Sequence, residues 1–116
     1  MTELLSCVLC DQVHELENGL FNYIKVRNVF FELGPQYFEL ALNYKSYDDE
    51  ITERVIVTAP SGIILADVKE TFEQNSYYFT SIHEVEVDLE EIGEYAVTII
   101  TNGKKYKYSF ETSIEQ

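Results

Sequence analysis

Hydrophobic and polar residues alternate along most of this chain, and the 3.6-residue spacing of an amphipathic helix is weak. "LLSCVLCDQV" (4–13) reads as a buried strand and "HELENG" (14–19) as the polar turn that follows it. "LFNYIKVRNVFFEL" (20–33) is too long for one flat strand, so it bends or continues as two before Gly34-Pro35 breaks it. "QYFELALNYK" (36–45) sets Phe38, Leu40 and Leu42 on one face and Glu39 on the other; "SYDDE" (46–50) is a loop. "ITERVIVTA" (51–59) is a strand that runs into the turn "PSG" (60–62). "IILADVKETFE" (63–73) is ambiguous between strand and a short helix. "YYFTSIHEVEVDL" (77–89) alternates from Glu84 onward, with Val85, Val87 and Leu89 inward and Glu84, Glu86 and Asp88 outward. "EYAVTIIT" and "KKYKYSFETS" flank Asn102-Gly103, a strong hairpin signal because both central residues of a tight hairpin turn need positive φ. In the last strand Tyr106, Tyr108 and Phe110 share a face.

About seven to nine short strands separated by turn signals predict an all-β fold: an antiparallel, immunoglobulin-like β-sandwich forming one domain over residues 1–116, with at most one short helix. "EIGEYAV" (91–97) resembles the tyrosine corner of immunoglobulin-like sandwiches, with Glu91, Gly93 and Tyr95 in the acid, small-residue and Tyr positions. The resemblance implies a buried Tyr95 whose hydroxyl bonds upstream backbone. Val97 stands where antibody domains have cysteine, and Trp is absent, so it does not extend to an antibody relative. Cys10-Asp11 at the end of the opening strand, Gly19 before "LFNYIKV", Gly34-Pro35, "APSG" (59–62) and "GEYAVTIITNGKKY" (93–106) together resemble a family of small bacterial and phage β-sandwich domains of unknown function. That likeness implies the sandwich and transfers no catalytic residue.

Composition narrows the function classes. The chain has 116 residues, 46% of them hydrophobic, enough for one core. Its 21 acids against 8 bases give a formal charge of −13, which repels nucleic acid and anionic membrane, since each phosphate contact needs a Lys or Arg. No stretch approaches the roughly 18 consecutive apolar residues of a membrane span. The N-terminal residues lack the basic start of a signal peptide. These features and two free cysteines lead to the expectation of a cytoplasmic protein.

Cys7-x-x-Cys10, His14 and His83 are the only Cys and His residues, the number a structural zinc site needs. Residues three apart on a strand, however, point to opposite faces, and Val8-Leu9 is no metal knuckle. Thioredoxin-like chemistry needs a helix N-terminus to lower a thiol pKa, and none is signalled. Cys7 and Cys10 therefore read as packing residues, and His14 and His83 as surface or edge histidines in a turn and a strand end. No nucleophile elbow or phosphate loop is present, and Ser61 has no signalled base. The acids at 47–50 suit a hard cation but lack ordered ligand spacing, so they read as a solvated loop. The expectation is no catalytic residue, no cofactor and no metal.

The acidic stretch is the remaining feature. From Glu70 to Asn102 there are eight acids and no Lys or Arg. Glu84, Glu86 and Asp88 project from one strand face about 6.6 Å apart, twice the strand rise. Duplex DNA carries one charge per about 1.7 Å, so the row is too sparse for faithful mimicry. It suits either a solvated face or a docking surface for a protein partner with a basic surface. Tyr44, Tyr47, Tyr77 and Tyr78 near strand ends offer a second contact region or simply rim packing. The leading expectation is a non-enzymatic binding module acting through protein contacts. The alternatives are an acidic phage-type inhibitor of a host nucleic-acid-binding or defence enzyme, and a small-ligand-binding sandwich. Edge strands also offer a route to a homodimer.

Overall fold

Nine strands form two facing sheets in the computed structural model, which describes residues 1–114. They are β1 (Thr2–Glu15), β2 (Phe21–Val26), β3 (Val29–Phe30), β4 (Gly34–Ser46), β5 (Glu50–Thr58), β6 (Ile64–Glu73), β7 (Tyr78–Leu89), β8 (Gly93–Thr101) and β9 (Lys104–Thr112). One sheet has the order β2-β1-β4-β7 and the other β3-β9-β8-β5-β6. Pairing is antiparallel except for the two-residue β3, which runs parallel to β9. The all-β sandwich expected from alternation is the fold.

The turns follow from backbone chemistry. Asn102 and Gly103 take φ of 46° and 83°, so both centre residues of the β8–β9 hairpin are left-handed. The long segment 20–33 divides, as its length requires: β2 ends just after Lys25, whose φ of 55° bends the chain, and β3 follows. Pro35 lies inside β4 rather than breaking the chain there. It sits opposite Asp88 of β7, beyond the stretch where β1 pairs with β4, so its missing N–H costs no ladder bond on that side.

One expectation is corrected. No short helix forms in 63–73; β6 pairs with β5 from Ile64 to Glu73, and the helix-forming residues Ala66, Lys69 and Glu70 take strand positions because cross-strand pairing overrides local preference. Among the described residues the only helical piece is a single 3-10 turn, Glu17–Gly19.

Inward positions of both sheets build the core. Phe38, Leu40, Leu42 and Tyr44 of β4 and Val85, Val87 and Leu89 of β7 meet Val55 and Val57 of β5 and Tyr95, Val97 and Ile99 of β8. Phe30, Phe38 and Phe110 form a triangle with ring centroids 5.5–5.7 Å apart, and Tyr95 stacks on Phe110 at 5.0 Å.

Tyr95 is fully buried, and its hydroxyl donates to the Glu91 carbonyl at 2.6 Å and accepts from the Glu91 N–H at 3.0 Å. The carbonyl keeps a second donor, the Thr112 hydroxyl at 2.6 Å, whereas the N–H has only Tyr95 to replace water. Tyr95→Phe is therefore expected to destabilise by about 1–1.5 kcal/mol, read as a lower urea midpoint with the slope unchanged.

Candidate functional site

Strands β6 and β7 are edges of different sheets and lie on the same side of the sandwich. At one end the gap between them is closed by Phe72 against Phe79, with Phe79 stacked on Tyr44. Along the rest it stays open. Val68 faces inward opposite the buried Val55, yet is 43% exposed because β7 does not cover it. The result is a groove of about 520 Å³, walled by Val55, Val57, Ala66, Val68 and Val85 and edged by Glu70, His83, Glu84 and Glu86.

A polar network forms the inner wall of this groove. Inward alternation on β5 runs Ile51, Glu53, Val55, Val57, so the strand carries one carboxylate into an otherwise apolar stripe. On β7 the inward set Phe79, Ser81, His83, Val85, Val87, Leu89 likewise carries polar residues, Ser81 and His83, into the stripe. The two meet across the sheets: Glu53, fully buried, hydrogen-bonds His83 Nε2 through Oε1. The same oxygen accepts from the Ser81 hydroxyl at 2.8 Å, and Oε2 accepts from the Tyr44 hydroxyl at 2.5 Å. Tyr44 also bonds the Thr101 hydroxyl at 2.8 Å.

Burial alone would raise the carboxyl pKa, but the hydrogen bonds from His83 and Tyr44, the His83 charge and the Ser81 hydroxyl outweigh it and hold Glu53 below its usual range. Burial opposes the imidazolium, yet the Glu53 hydrogen bond and charge, with Glu70 behind them, raise His83 above its usual value. Both directions favour the ion pair. The neighbouring Cys7 thiol is pushed up to about 12, by burial first and then by the Glu53 charge, so it is a neutral thiol and no nucleophile.

His83 is thus corrected: it sits buried within β7, not on the surface at a strand end. His14 lies at the end of β1 rather than in a turn, and it is exposed beside Gln12. Cys7 faces the core opposite Leu42, while Cys10 lies opposite Glu39 on the other face of β1, so the two thiols diverge as strand geometry requires.

Glu84, Glu86 and Asp88 are all exposed, alternating with buried Val85, Val87 and Leu89. The structure brings them into one row on the outer face of the edge strand β7. Across the pairing Tyr37 lies opposite Glu86, and Glu39 opposite Glu84. Glu39 is buried instead, accepting from the Val13 N–H at 2.7 Å and the Tyr37 hydroxyl at 2.9 Å. Tyr47, Tyr77 and Tyr78 cluster at one end of the sandwich, with Tyr47 and Tyr77 hydroxyls 2.8 Å apart and Lys45 over the Tyr77 ring. Tyr44 is not with them; it is core. Asp48 of the 47–50 loop bonds the Met1 ammonium and the Thr2 hydroxyl.

Glu53 and Glu70 are the site residues that sequence reasoning missed. The available signal is a glutamate at an inward position of β5, inside a run of β-branched residues. No helix of the described residues is long and apolar enough to cross a membrane.

No family model matches the chain, and no curated protein matches it. Among solved structures it is similar to the crystal structure of the C-terminal domain of wzt, with a TM-score of 0.56 over 99% of this chain and 75% of that one. The identity is 7%, so the likeness is one of fold alone.

Proposed function

We propose that this chain is a non-enzymatic binding module, in a bacterial or phage context, that holds a protein partner with a basic surface along the outer face of β7. One observation supports the reading: Glu84, Glu86 and Asp88 stand in an exposed row on a sheet edge, each fixed between buried neighbours. A row held by a sheet loses little conformational entropy on docking, unlike acids in a loop. The unpaired side of β7 also offers main-chain N–H and C=O groups to an extended segment of the partner. A second copy of the chain is a poor occupant of that edge, because antiparallel pairing sets like-charged rows against each other.

The inhibitor class is the same face with a more specific partner, an enzyme whose basic groove otherwise holds nucleic acid. A second reading, a small-ligand-binding sandwich, is supported by the open groove between β6 and β7, where Val55, Val57, Val68 and Val85 face the polar groups of Glu70 and His83.

The test is kinetic. After a partner is captured from host lysate, its association rate is measured against ionic strength and against the Glu84→Lys/Glu86→Lys/Asp88→Lys variant. The rate is expected to fall as salt shortens the Debye length below about 8 Å, and to fall at least about tenfold in the variant. Stability should stay within about 0.5 kcal/mol, since all three side chains are solvent-facing. An unchanged rate in the variant refutes the reading and moves attention to the tyrosine end.

A further inference from the structure

The β6–β7 groove holds three metal-ligand side chains that the outer row does not use. Glu53 of β5, Glu70 of β6 and His83 of β7 each bring one ligating atom into a cluster whose members all lie within 4.8 Å of one another. We propose that these three residues bind a single divalent transition-metal ion of the zinc class.

The donor set selects the ion. One imidazole and two carboxylates suit borderline ions such as Zn²⁺ or Co²⁺, whereas Ca²⁺ and Mg²⁺ take all-oxygen sites. Tetrahedral ligand bonds of about 2.0–2.2 Å place donors about 3.3–3.6 Å apart, so the site closes when the exposed carboxylate of Glu70 swings inward by about an ångström.

Charge supplies an independent reason. Glu53 and Glu70 are direct cross-strand partners on the inward face of β5 and β6. Like charges in that relation destabilise a sheet. The nearest basic residues of those strands do not relieve it: Arg54 pairs with Lys69 on the opposite face, and Arg54 is bonded to Asp67 at 2.6–2.8 Å. The single charge that His83 can carry is matched by Glu53, which leaves Glu70 uncompensated. A dication between two carboxylates and a neutral imidazole balances all three. On binding, the ion takes the place of the proton shared by His83 and Glu53, and that proton leaves to solvent.

The surroundings fit a held ligand set. The Tyr44 and Ser81 hydroxyls fix the Glu53 carboxylate from behind, the part that outer-shell donors play around metal ligands. The open groove gives the ion a way in and leaves coordination positions for water or a donor from a bound molecule. Because the ligands come from three strands and both sheets, the bound ion clamps the open side of the sandwich.

Tag-free protein stripped with chelator is titrated with Zn²⁺ by calorimetry and with Co²⁺ by visible absorption. One ion per chain is expected, with a rise in melting temperature. Glu70→Gln, at an exposed position, should weaken binding at least about tenfold, and His83→Gln should weaken it further. Cys7→Ser and His14→Gln should leave it unchanged. Absence of saturable binding overturns the proposal, and so does binding that Glu70→Gln leaves unaltered; this second arm holds even if His83→Gln does not fold. The outer row on β7 takes no part in this site, so either result leaves the partner-binding proposal standing on its own test.

Discussion

Replacing Phe38 with alanine is expected to cost about 4 kcal/mol, a large share of the roughly 5–15 kcal/mol that holds a domain of this size folded. The two sheets share no backbone ladder, so side chains alone hold them together. Phe38 is the β4 ring of the aromatic triangle, fully buried, 5.7 Å from Phe30 and 5.6 Å from Phe110. It meets Phe30 of β3 and Phe110 of β9 directly and is linked to Tyr95 of β8 through Phe110. Truncation removes its apolar burial and its edge-to-face contacts, and the stiff sheets cannot close over the void. Phe38→Leu, which fills most of the volume, should cost closer to 1.5 kcal/mol. Urea unfolding of the two variants at equal slope checks this. A loss under about 1 kcal/mol for the alanine variant means that the rings do not pack as described.

What alternation and turn chemistry make legible is set by residues close together in the chain. Alternation alone assigns Glu84, Glu86 and Asp88 to the outer face, since Val85, Val87 and Leu89 leave only one way to turn the strand. Asn102-Gly103 locates its hairpin for an equally local reason. The order β2-β1-β4-β7 is not local: nothing in "YYFTSIHEVEVDL" says that its neighbour is β4, or that its other side is an edge. The groove depends on that order and is hidden with it. The pairing of Glu53 with His83 escapes a reading of the chain for a related reason. Glutamate is almost never fully buried unless paired, and the partner that makes burial tolerable lies 30 residues away on the other sheet. The ambiguity over 63–73 has the opposite origin, a local helical preference that loses to nine cross-strand pairs with β5.

Glu53→Leu is expected to destabilise the metal-free protein by about 3 kcal/mol, because a buried pair broken on one side leaves its partner stranded. Three donors lose their acceptor together: His83, Ser81 and Tyr44. They are not equally harmed. Tyr44 keeps the Thr101 hydroxyl at 2.8 Å, and Ser81 is half-buried and can reach water. His83 bears most of the loss: the imidazolium keeps only the exposed, solvent-screened Glu70 as a counter-charge, and must shed its proton or stay weakly matched against Val55 and Val85 at the groove wall. That assigns the cost to the stranded histidine rather than to the pair as a source of net stability, and the two accounts differ in the double variant. If the stranded partner is what costs, Glu53→Leu/His83→Leu should recover more than half of the loss, since two apolar side chains of similar volume meet across the same gap. If the pair is itself the tie between β5 and β7, the double variant should be no more stable than the single one. Chemical unfolding of both in the presence of chelator decides. Recovery would show that the carboxylate is kept for something other than folding, which is what a ligand-holding residue at the foot of an open groove requires.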